Sequence, residues 1–207
     1  MSVIPQNARR KRPITTVLRG FFHREDASLS VEAVIVLPFM LWAFAALFSF
    51  TDIYRARALA IKGNYAIADL LSRETQPIDM TYLNGVADVF SYITESGDDS
   101  WIRVTPVRCK KRCSNPNTRV LRRDWSRATD GVHRLTNSEI NEYYRDIVPL
   151  IAKGERVIMV ETQVNFEPPI RPTVTGVTAQ ALVDTTFTRP RFGPQLCWGN
   201  MRCLNDY

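Results

Sequence analysis

Between Ala33 and Phe50 the chain runs for 18 residues without a charged side chain: Ala-Val-Ile-Val-Leu-Pro-Phe-Met-Leu-Trp-Ala-Phe-Ala-Ala-Leu-Phe-Ser-Phe. Wound as a helix it measures about 27 Å, close to the hydrocarbon thickness of a bilayer at roughly 30 Å. The core helix of a water-soluble domain keeps one polar face for solvent, and this stretch has none. Residues 28–50 therefore read as a transmembrane helix. Two residues depart from a plain anchor. Glu32 sits at the cytoplasmic lip, where a carboxylate drawn into hydrocarbon costs up to about 3 kcal/mol. Pro38 removes one backbone hydrogen bond and is expected to kink or loosen the helix. The simplest account is a Glu32 stabilised by the dipole at the helix start and a tolerated proline.

The charge distribution orients the segment. Residues 1–24 carry six basic side chains (Arg9, Arg10, Lys11, Arg12, Arg19, Arg24) and no acid. The whole chain has 27 basic and 21 acidic residues, so the remainder balances at 21 of each and the net +6 lies in this leader. A basic arm beside a membrane helix stays on the cytoplasmic side, so residues 1–27 read as a cytoplasmic leader and residues 51–207 as exported. The apolar run exceeds the roughly 7–15 residues of a secretory h-region. The Ala43-Phe44-Ala45 triplet lies within it, with Leu47, Phe48 and Phe50 still to come. An anchor accounts for this better than a cleaved signal peptide. About 155 residues remain for one domain, enough for a single core.

The helix is expected to continue past Phe50. Ile53, Ala56, Ala60, Ile67 and Leu70 recur at near-helical spacing until Gln76-Pro77, giving one helix of roughly 45 residues and 68 Å. A second helix starts at Asp79, with Met80, Leu83, Ala87 and Phe90 on one face. Strands are expected over 101–107, at Val120-Leu121, over 156–166 and over 181–188, with a third helix opened by Ser138 and ended by Pro149. The fold class is α+β: a long N-terminal membrane-spanning helix leading into an ectodomain with a small antiparallel sheet and flanking helices.

The head of this pattern, Ala27-Ser28-Leu29-Ser30-Val31-Glu32-Ala33 followed by an apolar run with Pro38, resembles the TadE/TadG-like family, pseudopilin-type proteins of the tight-adherence (Flp) pilus assembly system. Ala68-Asp69-Leu70-Leu71-Ser72-Arg73, the Trp125-Ser126 pair, and the order Glu161, Phe166, Pro168 are similar to that family as well. The resemblance implies a pilin-like ectodomain and cleavage by a prepilin peptidase after a small residue, usually Gly. Here that residue is Ala27 and the mature chain would start at Ser28, with Glu32 fifth. It further implies a non-enzymatic assembly component in the bacterial inner membrane, with a periplasmic C-terminal domain. Its partners would be the membrane, the prepilin peptidase and other pilus-assembly proteins or pilin subunits.

Cys109, Cys113, Cys197 and Cys203 all follow the apolar segment, and exported cysteines oxidise; four allow three pairings, of which Cys109–Cys113 with Cys197–Cys203 is the most local. A zinc site would use C-x2-C spacing, and the gaps here are three and five residues, so no metal is expected. No Walker loop, G-x-S-x-G, H-E-x-x-H or G-x-G-x-x-G occurs, and no cofactor is expected. Ser126, Asp130 and His133 lie close in sequence, a weak pointer to a triad; His133 reads as a solvated loop residue. The segment 108–123 holds seven cations (Arg108, Lys110, Lys111, Arg112, Arg119, Arg122, Arg123) and no acid. It is a candidate patch for an anionic ligand, and the alternative reading of the chain is a membrane-anchored extracytoplasmic binding module built on it. Interleaved aromatics and a recognition helix are missing, so nucleic acid is not expected.

Overall fold

The computed structural model describes residues 26–97 and 99–199, and the chain divides at Phe48/Ser49 into two compact units. Over its described residues the first unit is the beginning of one helix, α1 (Asp26–Arg73). Every side chain from Ser30 to Phe44 is exposed, Val34 to 73% and Phe39 to 69%. Apolar surface displayed on all sides of a helix suits hydrocarbon and not water, since each such side chain left in water forgoes about 1.5–3 kcal/mol of burial. The helix is long and apolar enough to cross a membrane. Pro38 lies within it without ending it.

The second unit is α+β. After the rest of α1 come α2 (Met80–Thr94), β1 (Ser100–Lys111), β2 (Val120–Arg123), β3 (Arg127–Ala128), α3 (Asn137–Tyr143), β4 (Arg156–Phe166), α4 (Pro172–Thr175) and β5 (Gln180–Thr188). They form one antiparallel sheet in the order β2–β1–β4–β5, with β3 beside β2 on the same edge of β1. Side chains alternate across a strand, and this sheet buries both faces. On one face Ile102, Val104, Ile158, Val160 and Val164 meet Ala60, Ile67 and Leu71 of α1 and Leu83, Val86 and Phe90 of α2. On the other, Val107, Cys109, Val157 and Met159 meet Ile140 of α3 with Leu135, Val148 and Ile151.

The expected elements form, with differences at their ends. Asp79 caps α2 by accepting from the Tyr82 N–H at 2.8 Å. α3 starts earlier than Ser138, because Thr136 and Glu139 make a capping box. It also ends early, at Tyr143, and the chain then turns, with the N–H groups of Ile147 and Val148 both donating to the Tyr144 carbonyl. Beyond the helix the buried Arg119 guanidinium donates to the carbonyls of Arg145, Val148 and Pro149. β1 runs past Val107 to Lys111, pairing with β2 as a hairpin with a bulge between Cys109 and Lys111. The segment after β5 contributes Leu196 and Trp198 to the core; the Trp125 ring lies 5.0 Å from Trp198, and its indole N–H donates to the Leu196 carbonyl at 2.9 Å.

The ends of this unit differ. Ile53 and Ala56 pack with Phe166 and Leu182 at one end of the sheet. At the other end the Ser72 carbonyl accepts from the Arg191 N–H at 2.8 Å, where Thr188 pairs with Ile158 and Arg156 with Arg108. The β1–β2 hairpin thus projects at the end where α1 finishes, away from Ser49.

Helices α1 and α2 approach closely at Gly63. A Cβ there would lie 3.0 Å from the Phe90 Cδ2 and Cε2 atoms. A Cβ at the exposed Gly85 of α2 would touch nothing within 4 Å. Gly63→Val should destabilise the unit by about 1–3 kcal/mol through overpacking, whereas Gly85→Ala should stabilise it by about 0.5–1 kcal/mol. Urea unfolding of the full chain in zwitterionic micelles checks both signs.

Candidate functional site

The expected site residues fall in two places. Ala27 and Ser28 occupy the first turn of α1, their side chains outside the described residues. Glu32 is exposed and has no ion-pair partner among the described residues. It stands four residues after Ser28, about 6 Å along the helix axis. The other set surrounds the hairpin. Cys109 on β1 and Cys113 in the loop after it form a disulfide; Cys109 is buried, and Arg112, inside the closed ring, adopts a positive φ of 53°. Among the described residues no cysteine is free. Cys197 is buried, and Cys203 lies outside the described residues.

The seven-cation patch is smaller than its sequence suggests. Arg119 is only 1% exposed, and its donors are spent on backbone carbonyls, so it cannot meet a ligand. Arg108 faces Asp124 at 3.2 Å, and Asp124 is also held by Arg156 at 2.8 Å. Arg123 is half-buried. Lys110, Lys111, Arg112 and Arg122 remain exposed, joined by Lys153, and none of the five has a carboxylate partner among the described residues. Arg112 and Lys153 border a groove of about 450 Å³ between the hairpin and residues 150–153, floored by Leu150 and Ile151. Exposed acids, Glu142 and Asp146, lie on the neighbouring segment.

Sequence reasoning missed the buried charges of the sheet. Arg103 and Glu161 are cross-strand partners on β1 and β4. They are joined through Nε–Oε2 at 2.7 Å and Nη2–Oε1 at 2.9 Å, with side chains 11% and 3% exposed. The Tyr144 hydroxyl donates to Glu161 at 2.6 Å, and the His133 carbonyl accepts from Arg103 at 3.0 Å. Trp101 lies against the guanidinium, 5.5 Å from ring centre to Cζ. A signal existed, since Arg103 is the one charge between Trp101 and Val107 and Glu161 directly follows the apolar run 157–160. The Ser126, Asp130 and His133 set is not assembled: Ser126 is buried and bonded to Thr105 and Leu135, and the His133 ring meets Glu139 at 3.1 Å. Thr136 hydrogen bonds, then His133, hold the Glu139 carboxyl down at about 2.

Comparison with family models, curated proteins and solved structures gives no match to this chain.

A buried bidentate pair is costly to halve. Glu161→Leu leaves the Arg103 charge stranded and should destabilise by about 3–5 kcal/mol, whereas adding Arg103→Met should recover much of that loss. Denaturant titration of the two variants decides, and simple additivity would contradict the coupling.

Alkaline stability follows from Tyr144. Burial first, then the Glu161 hydrogen bond and charge, push its phenol up to about 12 from an ordinary 10.0. Its folded pKa is the higher one, so the stabilisation is complete below pH 10.0 and lost as pH rises towards about 12. Tyr82, raised by burial and Glu74, adds to the same decline. Tyr144→Phe should make the fall of stability across this window shallower, measured by denaturant midpoints at successive pH values.

Proposed function

We propose that this chain is a non-enzymatic, membrane-anchored component of tight-adherence pilus assembly, of pseudopilin or minor-pilin type. The observation that carries the reading is α1: its first part shows apolar side chains on every side from Ser30 to Phe44, while its second part packs Ala60, Ile67 and Leu71 into the ectodomain core. The basic leader supports a single pass through a bacterial inner membrane, with a cytoplasmic N-terminus and a periplasmic C-terminal domain. The Cys109–Cys113 disulfide agrees with an oxidising compartment. The motif at 27–33 carries the family assignment.

In this reading prepilin peptidase cuts between Ala27 and Ser28 and frees an amine at the membrane surface. Glu32, about one helical turn away, pairs with that amine or with the amine of a neighbouring subunit. A charge that hydrocarbon disfavours thereby gains a partner, and subunit addition comes to depend on processing. The second reading, an anchored binding module, is favoured by the exposed cations of the hairpin and Lys153, two of which border the groove; it requires those cations and not Glu32.

Glu32→Gln should leave the protein inserted and folded but impair pilus formation, and a bulky residue at Ala27 should block cleavage. N-terminal mass mapping of membrane-extracted protein, beside a pilus count, tests both. An intact leader in cells that still make pili removes the amine from the mechanism.

A further inference from the structure

The groove beside the disulfide hairpin has an apolar floor and a cationic rim. Leu150 is 58% exposed, with Ile151 buried beneath, while Arg112 and Lys153 border the groove; Lys110, Lys111 and Arg122 are exposed elsewhere on the hairpin. Such a surface fits a protruding apolar side chain flanked by carboxylates: the anchor fills the apolar floor, and the acids meet the rim without being buried unpaired. The same unit carries that complement at its opposite end. Tyr92 of α2 is 86% exposed and Val89 50% exposed. Asp88 lies one turn before Tyr92, and Asp99 follows in the turn after α2. Neither acid has a cation partner among the described residues. Glu167, also exposed, adds charge at this end just after β4. Glu95 there is already paired with Arg55 at 2.9 Å.

We infer that the groove between the hairpin and residues 150–153 receives the Tyr92 end of a second copy of this chain, in a head-to-tail contact. The two surfaces lie at opposite ends of one sheet, so the contact is heterologous: each copy uses a different patch, and addition can continue without closing. Unlike charges draw the ends together and like charges oppose hairpin-to-hairpin pairing, which sets the polarity of the row. Arg112 and Lys153 line the groove itself, whereas the exposed Glu142 and Asp146 lie outside its lining, so they weaken the attraction without cancelling it. The contact lies wholly within residues 49–199 and needs neither cleavage nor Glu32. Its failure and the failure of the assembly reading are therefore measured separately.

The test uses the full chain in zwitterionic lipid nanodiscs holding one copy each, so that membrane helices cannot meet, with association read by sedimentation. Wild-type discs should associate with rising concentration and separate when salt is raised from about 0.05 to 0.5 M. Arg112→Glu with Lys153→Glu removes the groove's charge, and Asp88→Lys with Tyr92→Ala removes the anchor. All four side chains are exposed, and an unchanged circular dichroism spectrum checks that each variant folds. Each variant alone should associate at least about ten-fold more weakly than wild type. Mixed together they should form pairs that grow no further, because one intact groove then meets one intact anchor. Wild-type discs that stay single at every concentration overturn the inference. So does either variant associating as wild type does, or a mixture that fails to pair. Should a variant not fold, salt-insensitive association of the wild type overturns it equally.

Discussion

Helix α1 changes character along one uninterrupted backbone, from apolar side chains on every side to an apolar stripe packed on the sheet, and the core of the second unit is built on that stripe. From Ser30 to Phe44 no side chain is covered, a state that hydrocarbon tolerates and water penalises by roughly 25 cal/mol for each Å² of apolar surface. From Ala60 onward the same helix shows an apolar stripe to the sheet and polar residues elsewhere: Ile67, Ala68 and Leu71 are covered, while Lys62, Tyr65 and Arg73 are not. The change from all-round to one-sided apolarity separates a stretch apolar enough to cross a membrane from one that packs on a sheet. The small residues support it. Gly63 lets Phe90 of α2 lie directly against the helix, and Asn64, fully buried, donates to Thr162 and to the Val160 and Asp184 carbonyls at the sheet.

The sheet holds more charge than its size suggests, and it does so by pairing each buried ion. Arg103 with Glu161, and Asp124 between Arg108 and Arg156, are neutralised within hydrogen-bonding distance. Arg119 is satisfied by carbonyls alone. An isolated charge in such a place would cost several kcal/mol, so these residues specify register as well as stability. A slip of one residue between β1 and β4 would send Arg103 and Glu161 to opposite faces. Pairing also sorts the basic segment: cations with partners are held in the fold, and Lys110, Lys111, Arg112 and Arg122 stay exposed. The edge strand β2 is closed by side chains rather than by another strand. Asn141 exchanges two hydrogen bonds with Leu121, and Asn137 accepts from the Arg123 N–H. Blocking an edge in this way limits unwanted strand addition on the hairpin side.

Much of the fold was legible in the chain itself. The apolar run, the long helix beyond it, the cap at Asp79, the 156–166 strand and the hairpin disulfide rest on local rules: periodicity, capping and short loop closure. Those rules need no knowledge of distant residues, and the structure agrees with them. Where distant residues intervene, local reading gave out. Nothing near Pro149 announces that Arg119 will donate to its carbonyl, and nothing near Trp198 announces that it will lie against Trp125.

The candidate site divides along the same line. Sequence alone determined that 108–123 is basic and holds two cysteines, that Glu32 heads an apolar run, and that the net charge lies in residues 1–24, because composition and spacing are properties of the chain. Tertiary structure decided which cations reach solvent, since a partner such as Asp124 or the carbonyls around Arg119 is chosen in space. It also decided that the hairpin and the Tyr92 end lie at opposite ends of one sheet. That separation follows from antiparallel register, a relation between strands that no single stretch contains.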